Sequence, residues 1–95
     1  MYYLYVLKSL VKENTFYTGH TENLSVRLSQ HNAGKTKSTK HGVPWEIAYQ
    51  EEYHTRIEAI NREKYLKSGS GREFLKSLPE PDFRYFSLFI ASILV

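Results

Sequence analysis

The sequence predicts one small α/β domain, a β-sheet flanked by helices, and three observations lead to this fold class. The chain has 95 residues, 41% apolar and 15% aromatic, enough to bury one small core but too few for two domains. Strand-type composition, rich in tyrosine and branched residues, opens the chain. Helical spacing of apolar residues begins at residue 23, and strand and helix patterns then alternate.

Three strands are predicted. Tyr2 to Leu10 and Thr15 to Gly19 form a hairpin around the polar break at residues 12–14. The first strand has apolar side chains on both faces, which indicates a strand covered on both sides. The third strand is predicted from the period-two alternation of large apolar residues over 45–50.

Three helices are predicted from their end signals. The first spans Asn23 to about Asn32, with Asn23 or Thr21 as N-cap and Ala33-Gly34 as its end. The second runs from Thr55 to about Lys67 and opens on the capping-box pair Thr55 and Glu58. Residues 68–71 stop it, and a short third helix is predicted over Arg72 to Leu78.

The domain is expected to end at residue 78, and residues 79–95 are expected to form an apolar C-terminal tail of uncertain role. This tail is shorter than the ~20 apolar residues that span a bilayer, so no stable membrane insertion is expected. We predict a docked terminal segment; a foreign or misread C-terminus and a weak membrane contact are the alternatives. No secretory signal pattern is present at the start, and a cytoplasmic location is expected.

The composition excludes some kinds of functional site and is compatible with others. Zero cysteines exclude disulfide frameworks, thiolate zinc sites and thiol nucleophiles. Thirteen Lys and Arg against ten Asp and Glu give a net charge of +3, which is compatible with a polyanionic partner without requiring one.

Two polar residues of the first helix fall on its apolar face. At ~100° per residue, Arg27 and His31 share the face of Leu24 and Leu28. An arginine can extend outward from such a face and a histidine can be a satisfied core residue. Together, one turn apart, they could instead hold a phosphate.

The second helix repeats this pattern with a carboxylate. Glu63 falls inside the arc of Ala59 and Leu66, whereas Glu58 faces water at pairing distance from Arg62. A buried carboxylate needs a partner. Either Arg27 pairs with Glu63 in a structural ion pair, or Glu63 holds a hard divalent cation such as Mg²⁺.

Tyrosines are numerous, eight in all. Tyr3, Tyr5 and Tyr17 lie on the predicted hairpin, where most tyrosines serve packing. Several hydroxyl groups on one hairpin could nevertheless gather at a site.

These positions match a known pattern, and the chain resembles the GIY-YIG nuclease superfamily, most closely its small stand-alone bacterial members, over residues 2–76. The resemblance extends to the N-terminal nuclease domain of the bacterial excinuclease. It is carried by five elements in order: Tyr3-Leu4-Tyr5, Tyr17-Thr18-Gly19, the helix with Arg27 followed by His31-Asn32-Ala33-Gly34, Pro44-Trp45-Glu46, and the helix from Glu58 to Glu63. Two departures are Tyr3 in place of the first glycine and His20 where some members carry lysine.

The resemblance implies a small α+β fold of GIY-YIG type, with a three-stranded antiparallel sheet and flanking helices. It also implies a metal-dependent endonuclease that hydrolyses phosphodiester bonds with one Mg²⁺ or Mn²⁺ ion. The implied partner is nucleic acid, DNA in preference to RNA, in a DNA-repair setting. By matching position, Glu63 would hold the metal, Arg27 would contact the scissile phosphate, and Tyr5, Tyr17 and His31 would line the site.

In the implied reaction, water attacks phosphorus while the metal ion stabilises the departing oxygen and Arg27 neutralises charge. Tyr5 first, or Tyr17 second, would orient or deprotonate the water, and His31 could take the proton instead. The identity of the base stays open at this stage.

Two alternatives stand beside the enzyme. One is a non-catalytic nucleic-acid-binding module of the same fold, which would grip phosphates through four basic residues of the loop, Lys35, Lys37, Lys40 and His41, with His20 nearby. The other is an interaction domain whose polar cluster is only an ion pair. Metal dependence separates cleavage from both.

Overall fold

The computed structural model describes residues 1–78, and its elements alternate as the sequence indicates. The strands are β1 (Tyr2–Ser9), β2 (Phe16–Thr21) and β3 (Trp45–Tyr53); the helices are α1 (Leu24–Asn32), α2 (Arg56–Leu66) and α3 (Gly69–Ser77). A short 3-10 turn occupies Lys40–Gly42. The prediction for residues 79–95 lies outside the described residues.

The sheet is antiparallel, with β1 in the centre and the order β2-β1-β3. Tyr5 pairs with Gly19 on one side and with Gln50 on the other. The β1–β3 register shifts between Val6 and Leu7. The predicted α+β class with a three-stranded antiparallel sheet is therefore confirmed.

The two faces of β1 bury different side chains, as its two-sided apolar composition predicts. On the α1 side Tyr5 and Leu7 pack with Leu24, Trp45 and Ile47. The other face belongs to α2 and α3, and there Leu4, Val6 and Leu66 form a second cluster with partly buried Tyr49, Tyr53, Phe74 and Leu75. A central strand covered on both faces fixes Tyr5 rigidly, because its neighbours on both sides are closely packed.

The helix caps follow the predicted signals. Asn23 accepts a hydrogen bond from the amide of Val26 at the start of α1, and Thr55 accepts one from the amide of Glu58 at the start of α2. Gly34 follows α1 with a positive φ of 73°, a conformation that costs glycine little.

Two predictions at this level are wrong. The third helix begins at Gly69 rather than Arg72, because the Ser68 side chain accepts from the amide of Gly71 and caps a turn that the glycines were expected to break. The guanidinium of Arg62 pairs with Glu51 on β3, not with Glu58 on its own helix. Glu58 instead accepts a hydrogen bond from the Thr55 hydroxyl at 2.7 Å.

Among residues 1–78, none of the helices has the length and apolar character required to cross a membrane.

Candidate active site

A buried tyrosine–histidine pair lies between β1 and α1. The Tyr5 hydroxyl is 2.9 Å from Nε2 of His31, and both side chains are almost fully buried, at 1% and 0% exposed. His31 reaches this position because it lies one turn after Arg27 on the inward face of α1. Its other ring nitrogen, Nδ1, lies 2.7 Å from the hydroxyl oxygen of Thr39.

Two neighbours on β2 shape this pair. The Tyr17 ring lies 5.0 Å from that of His31 and 6.4 Å from that of Tyr5, centroid to centroid. Gly19 lies directly under the Tyr5 hydroxyl, and a Cβ atom there would be only 2.7 Å from that oxygen. The glycine of the second motif is therefore required by the close approach of Tyr5.

Burial is the largest influence on the pKa values of Tyr5 and His31, and it favours the uncharged form of each. Burial raises the pKa of Tyr5 to about 12, although the neighbouring Arg27 guanidinium acts in the opposite direction. The negative charge of Glu63 adds to the rise, so this carboxylate is within electrostatic reach of Tyr5. Burial and the charge of Arg27 lower the pKa of His31. At neutral pH the resting pair is therefore an uncharged phenol and an uncharged imidazole.

The Glu63 carboxylate sits between two nitrogen groups. Its Oε1 is 2.6 Å from Nδ1 of His20 on β2, and its Oε2 is 2.7 Å from Nζ of Lys67, one turn further along the chain. Burial alone would raise the Glu63 pKa, but the hydrogen bonds from Lys67 and His20 outweigh it and hold the pKa below its ordinary value. Glu63 is therefore an ionised carboxylate, with 19% of its side chain exposed.

The structure does not pair Glu63 with Arg27. Arg27 donates through Nη1 to the side-chain oxygen of Gln30 at 3.0 Å, whereas Glu63 contacts His20 and Lys67. The alternative of a buried Arg27–Glu63 pair is thus wrong.

A groove of about 360 Å³ opens beside these groups, at the end of β2. Arg27 and His20 both line it, together with Arg56 from the start of α2. Asn23 and Val26, from the exposed start of α1, also line the groove. The groove offers an anion two guanidinium groups and a histidine, and it also contains the Glu22 carboxylate, 4.0 Å from the Arg56 guanidinium.

The predicted site residues thus form two groups on opposite sides of the edge strand β2, one facing α1 and one facing α2. Tyr5, Tyr17 and His31 contact one another on the α1 side, with Arg27 beside Tyr5. Glu63 lies on the α2 side and reaches them indirectly. Two side chains that bond to it make the link: the Lys67 ammonium lies 6.0 Å from the centre of the Tyr17 ring, and His20 shares the groove with Arg27.

Residues of the basic loop lie apart from these groups. Lys35, Lys37 and Lys40 are solvent-exposed. His41 is also exposed and contacts Lys12 in the β1–β2 turn at 3.2 Å, rather than any predicted catalytic residue. Thr39, in the middle of the same loop, is fully buried against His31.

Two residues of this site, Lys67 and Thr39, were not predicted from the sequence. Lys67 follows the last apolar residue of α2 and pairs with Glu63. Their i,i+4 spacing could have predicted this pair from the sequence. Thr39 gave no signal, because it lies in a loop without periodicity.

Among residues 1–78, the site offers a divalent cation one protein ligand, the Glu63 carboxylate. Glu63 supplies one ionised carboxylate, the hard oxygen ligand that Mg²⁺ accepts alongside water and substrate phosphate oxygens. Within the described part of the chain, however, no group of three or more His, Asp or Glu side chains is arranged to hold a metal ion. A metal ion at Glu63 would therefore depend on water and substrate for most of its ligands.

The domain is an antiparallel three-stranded sheet. Its edge strand lies between a buried tyrosine–histidine pair with an arginine on one side and a helix-borne carboxylate on the other. Residues 1–76 match the GIY-YIG catalytic domain, and the chain belongs to the GIY-YIG family. Nucleases of this family generally use divalent metal ions.

Small stand-alone relatives cover nearly the same length. The chain is 40% identical over 80 residues to a UPF0213 protein of Staphylococcus haemolyticus, 35% to one of Staphylococcus epidermidis and 31% to one of Staphylococcus aureus. Each alignment covers 83% of this chain and 95% of the relative. The name UPF0213 states no activity, so the comparisons indicate a nuclease-type protein in general.

Proposed function

We propose that this protein is a metal-dependent endonuclease that hydrolyses phosphodiester bonds, in DNA in preference to RNA. The observation that carries the proposal is the buried Tyr5–His31 hydrogen bond of 2.9 Å beside the Arg27 guanidinium. In a module that only binds phosphate, this buried phenol and imidazole would serve packing alone. The resemblance to the excinuclease domain supports a DNA-repair setting, and a cytoplasmic location is part of the proposal.

Each chain residue has a role in this proposal. Arg27 faces the groove and would bind the scissile phosphate, where its charge is complementary to the one that develops during attack. Tyr5 would orient the attacking water and accept its proton, since Arg27 opposes the rise in its pKa and His31 holds its hydroxyl. Tyr17 would close the site against bulk water.

Glu63 is the residue that would hold Mg²⁺ or Mn²⁺. A divalent cation bound there would neutralise the negative charge that develops on the departing oxygen. Lys67 and His20 would have to yield the carboxylate oxygens that they now contact. The low pKa of Glu63 favours this exchange, because the carboxylate needs no deprotonation before it binds a cation.

The test is the variant Glu63→Gln, which keeps shape and nearly volume but removes the charge. Cleavage of a labelled oligonucleotide in Mg²⁺ or Mn²⁺ should fall by about two orders of magnitude or more, as loss of a charge-stabilising group does elsewhere. Melting temperature should fall little, because the two groups that lose their charged partner, His20 and Lys67, are 33% and 51% exposed and water can solvate them. Matched DNA and RNA oligonucleotides test the preference for DNA.

The control is Glu73→Gln, which removes a carboxylate that is 77% exposed on α3 and should cleave like the wild type. Wild-type levels of cleavage by Glu63→Gln would remove Glu63 from the reaction. Absence of cleavage by the wild type with either metal would contradict the enzyme itself.

The second candidate function is a nucleic-acid-binding module without catalysis. The observation that favours it is that both oxygens of Glu63 are already bonded, to His20 and Lys67, so the carboxylate is neutralised without a metal ion. Binding by such a module would survive a chelator, whereas cleavage would stop. Binding to a labelled duplex in EDTA, measured beside cleavage in Mg²⁺, separates the two.

A further inference from the structure

Thr39 is fully buried in the loop between α1 and β3, and Trp45 fixes its position. Its carbonyl oxygen accepts a hydrogen bond of 2.8 Å from the indole nitrogen of Trp45. Asn32 holds Trp45 in turn, through hydrogen bonds to both its backbone amide and its backbone carbonyl. The loop therefore presents the Thr39 hydroxyl to His31 from a rigid frame.

The hydrogen-bond partners of Thr39 favour one of the two tautomers of His31, the one with its proton on Nδ1. The Thr39 hydroxyl lies 3.4 Å from the carbonyl oxygen of Thr36, a group that can only accept. Donation to that carbonyl leaves the lone pairs of Thr39 Oγ1 to accept from Nδ1–H of His31, 2.7 Å away. With its proton on Nδ1, an uncharged imidazole has a lone pair on Nε2, which then accepts from the Tyr5 hydroxyl.

We propose that Thr39 is a positioning residue of the active site, which fixes His31 in the Nδ1–H tautomer so that Tyr5 donates its hydroxyl proton to Nε2. This inference rests on the proposed function for its catalytic consequence only. In this orientation the lone pairs of the Tyr5 oxygen point away from His31 and are free to accept a proton. In the opposite tautomer Nε2–H would donate to that oxygen and occupy a lone pair.

The proton balance of the step is simple. As water attacks phosphorus, one proton of the water passes to the Tyr5 oxygen, and the Tyr5 hydroxyl proton passes to Nε2 of His31. His31 gains one positive charge and Tyr5 is unchanged. Water becomes the hydroxide that forms the new bond to phosphorus, and the departing oxygen leaves with the electron pair of the broken bond.

The test compares Thr39→Val, which replaces the hydroxyl with a methyl group of similar size, with Thr39→Ser, which keeps the hydroxyl. In Thr39→Val we expect kcat to fall about 10- to 100-fold, as loss of an orienting partner does elsewhere, with KM unchanged because Thr39 does not reach the groove. Thr39→Ser should restore most of kcat. A rise in KM with constant kcat, or a serine variant as slow as the valine variant, would overturn the proposal.

A second readout needs no activity. Nitrogen-15 NMR of the imidazole rings reports which nitrogen of His31 is protonated. The wild type and Thr39→Ser should show protonated Nδ1, and Thr39→Val should show a mixture or the opposite tautomer. Protonated Nε2 in the wild type, or a tautomer unchanged in Thr39→Val, would overturn the proposal. If the wild type cleaves no substrate, the endonuclease proposal fails, and the NMR result alone decides the role of Thr39.

Discussion

The Tyr5 hydroxyl lies against Gly19 so closely that no side chain fits between them. A Cβ atom at residue 19 would lie 2.7 Å from the hydroxyl oxygen and 2.8 Å from the ring carbon that bears it. Tyr5 cannot retreat far, because it is 1% exposed and packed between sheet and helix. A side chain at residue 19 must therefore push the Tyr5 hydroxyl away from Nε2 of His31.

Gly19→Ala should consequently lower the free energy of unfolding by about 1–3 kcal/mol, the usual cost of overpacking. Cleavage should fall by more than the stability loss explains, because the Tyr5–His31 hydrogen bond of 2.9 Å is broken. Urea unfolding and single-turnover cleavage at a temperature where both proteins are folded measure the two effects.

Gly69→Ala is the control for this prediction. No atom lies within 4 Å of the Cβ position at residue 69, at the start of α3, so the change should leave both stability and cleavage nearly unchanged. A Gly19→Ala variant that behaves like Gly69→Ala would show that Tyr5 has room to move and does not need its present position.

Single residues differ in how well the sequence predicted them. Helical periodicity placed His31 and Glu63 on inward faces, because the rotation per residue puts each side chain at a small angle from apolar residues of the same helix. It could not assign partners: His20 and Glu63 lie 43 residues apart and meet only through packing of α2 against β2. Thr39 lies in a loop, where no period relates a side chain to the core.

At the scale of elements, a second polar cluster fastens β3 to α2. Arg62 donates to Glu51 through Nε at 2.9 Å and through Nη2 at 3.1 Å, and the hydroxyls of Tyr49 and Tyr53 also donate to this carboxylate. The Arg62 guanidinium lies 5.2 Å from the ring centre of Phe74, so the cluster includes α3. It lies on the sheet face opposite α1 and takes no part in the proposed site.

Glu51 should make the protein sensitive to acid. Burial would raise its pKa, but the hydrogen bonds from Arg62 and the two tyrosines prevail and lower it. A carboxyl whose pKa is lower in the folded state stabilises the fold fully above its unfolded pKa, ordinarily 4.5, and this contribution is lost as the pH falls through the folded value.

Glu51→Gln should therefore cost about 3 kcal/mol at neutral pH, because the partly buried Arg62, 28% exposed, loses its charged partner. The variant should also lose less stability than the wild type between neutral pH and about pH 3. Some pH dependence will remain, since the Glu63 pKa is lowered as well. Equal pH slopes for the two proteins in urea unfolding would contradict this account.

Elements were largely predictable because their signals are local. Asn23 and Thr55 cap α1 and α2 as their sequence context indicates, and alternation marked the start of β3. The start of α3 was missed because two glycines argued against a helix. The Ser68 side chain caps the first turn there, and the close packing of α3 against α2 requires a glycine. Gly71 packs so closely that a Cβ atom would lie 2.0 Å from the carbonyl oxygen of Tyr65.

At the scale of the molecule, β1 is covered on both faces while β2 is an edge strand, with α1 on one side and α2 on the other. The proposed site therefore forms around a sheet edge, where side chains from both faces can approach one substrate. This juxtaposition depends on strand order and helix placement together, so the sequence pattern alone could not establish it. The expectation for a separate tail at 79–95 stays a prediction.

The exposed lysines of the loop after α1 offer a test of how the whole molecule approaches a polyanion. Lys35, Lys37 and Lys40 are on the surface, and phosphate contacts of this kind strengthen binding without selecting sequence. Replacing all three with alanine should weaken binding to duplexes of unrelated sequence by similar factors. The slope of log affinity against log salt should become shallower by up to about 3, since each phosphate contact contributes ~0.9.

The charge-matched control replaces Lys64, Arg72 and Lys76, three exposed cations of α2 and α3, with alanine. This variant loses the same net charge, but from helices on the sheet face opposite α1, so its salt slope should change much less. Fluorescence anisotropy with a labelled duplex at several salt concentrations measures both slopes. An unchanged slope for the loop variant would remove the loop from the interface. Equal reductions in the two variants would show that net charge, rather than the position of the loop beside α1, attracts the polyanion.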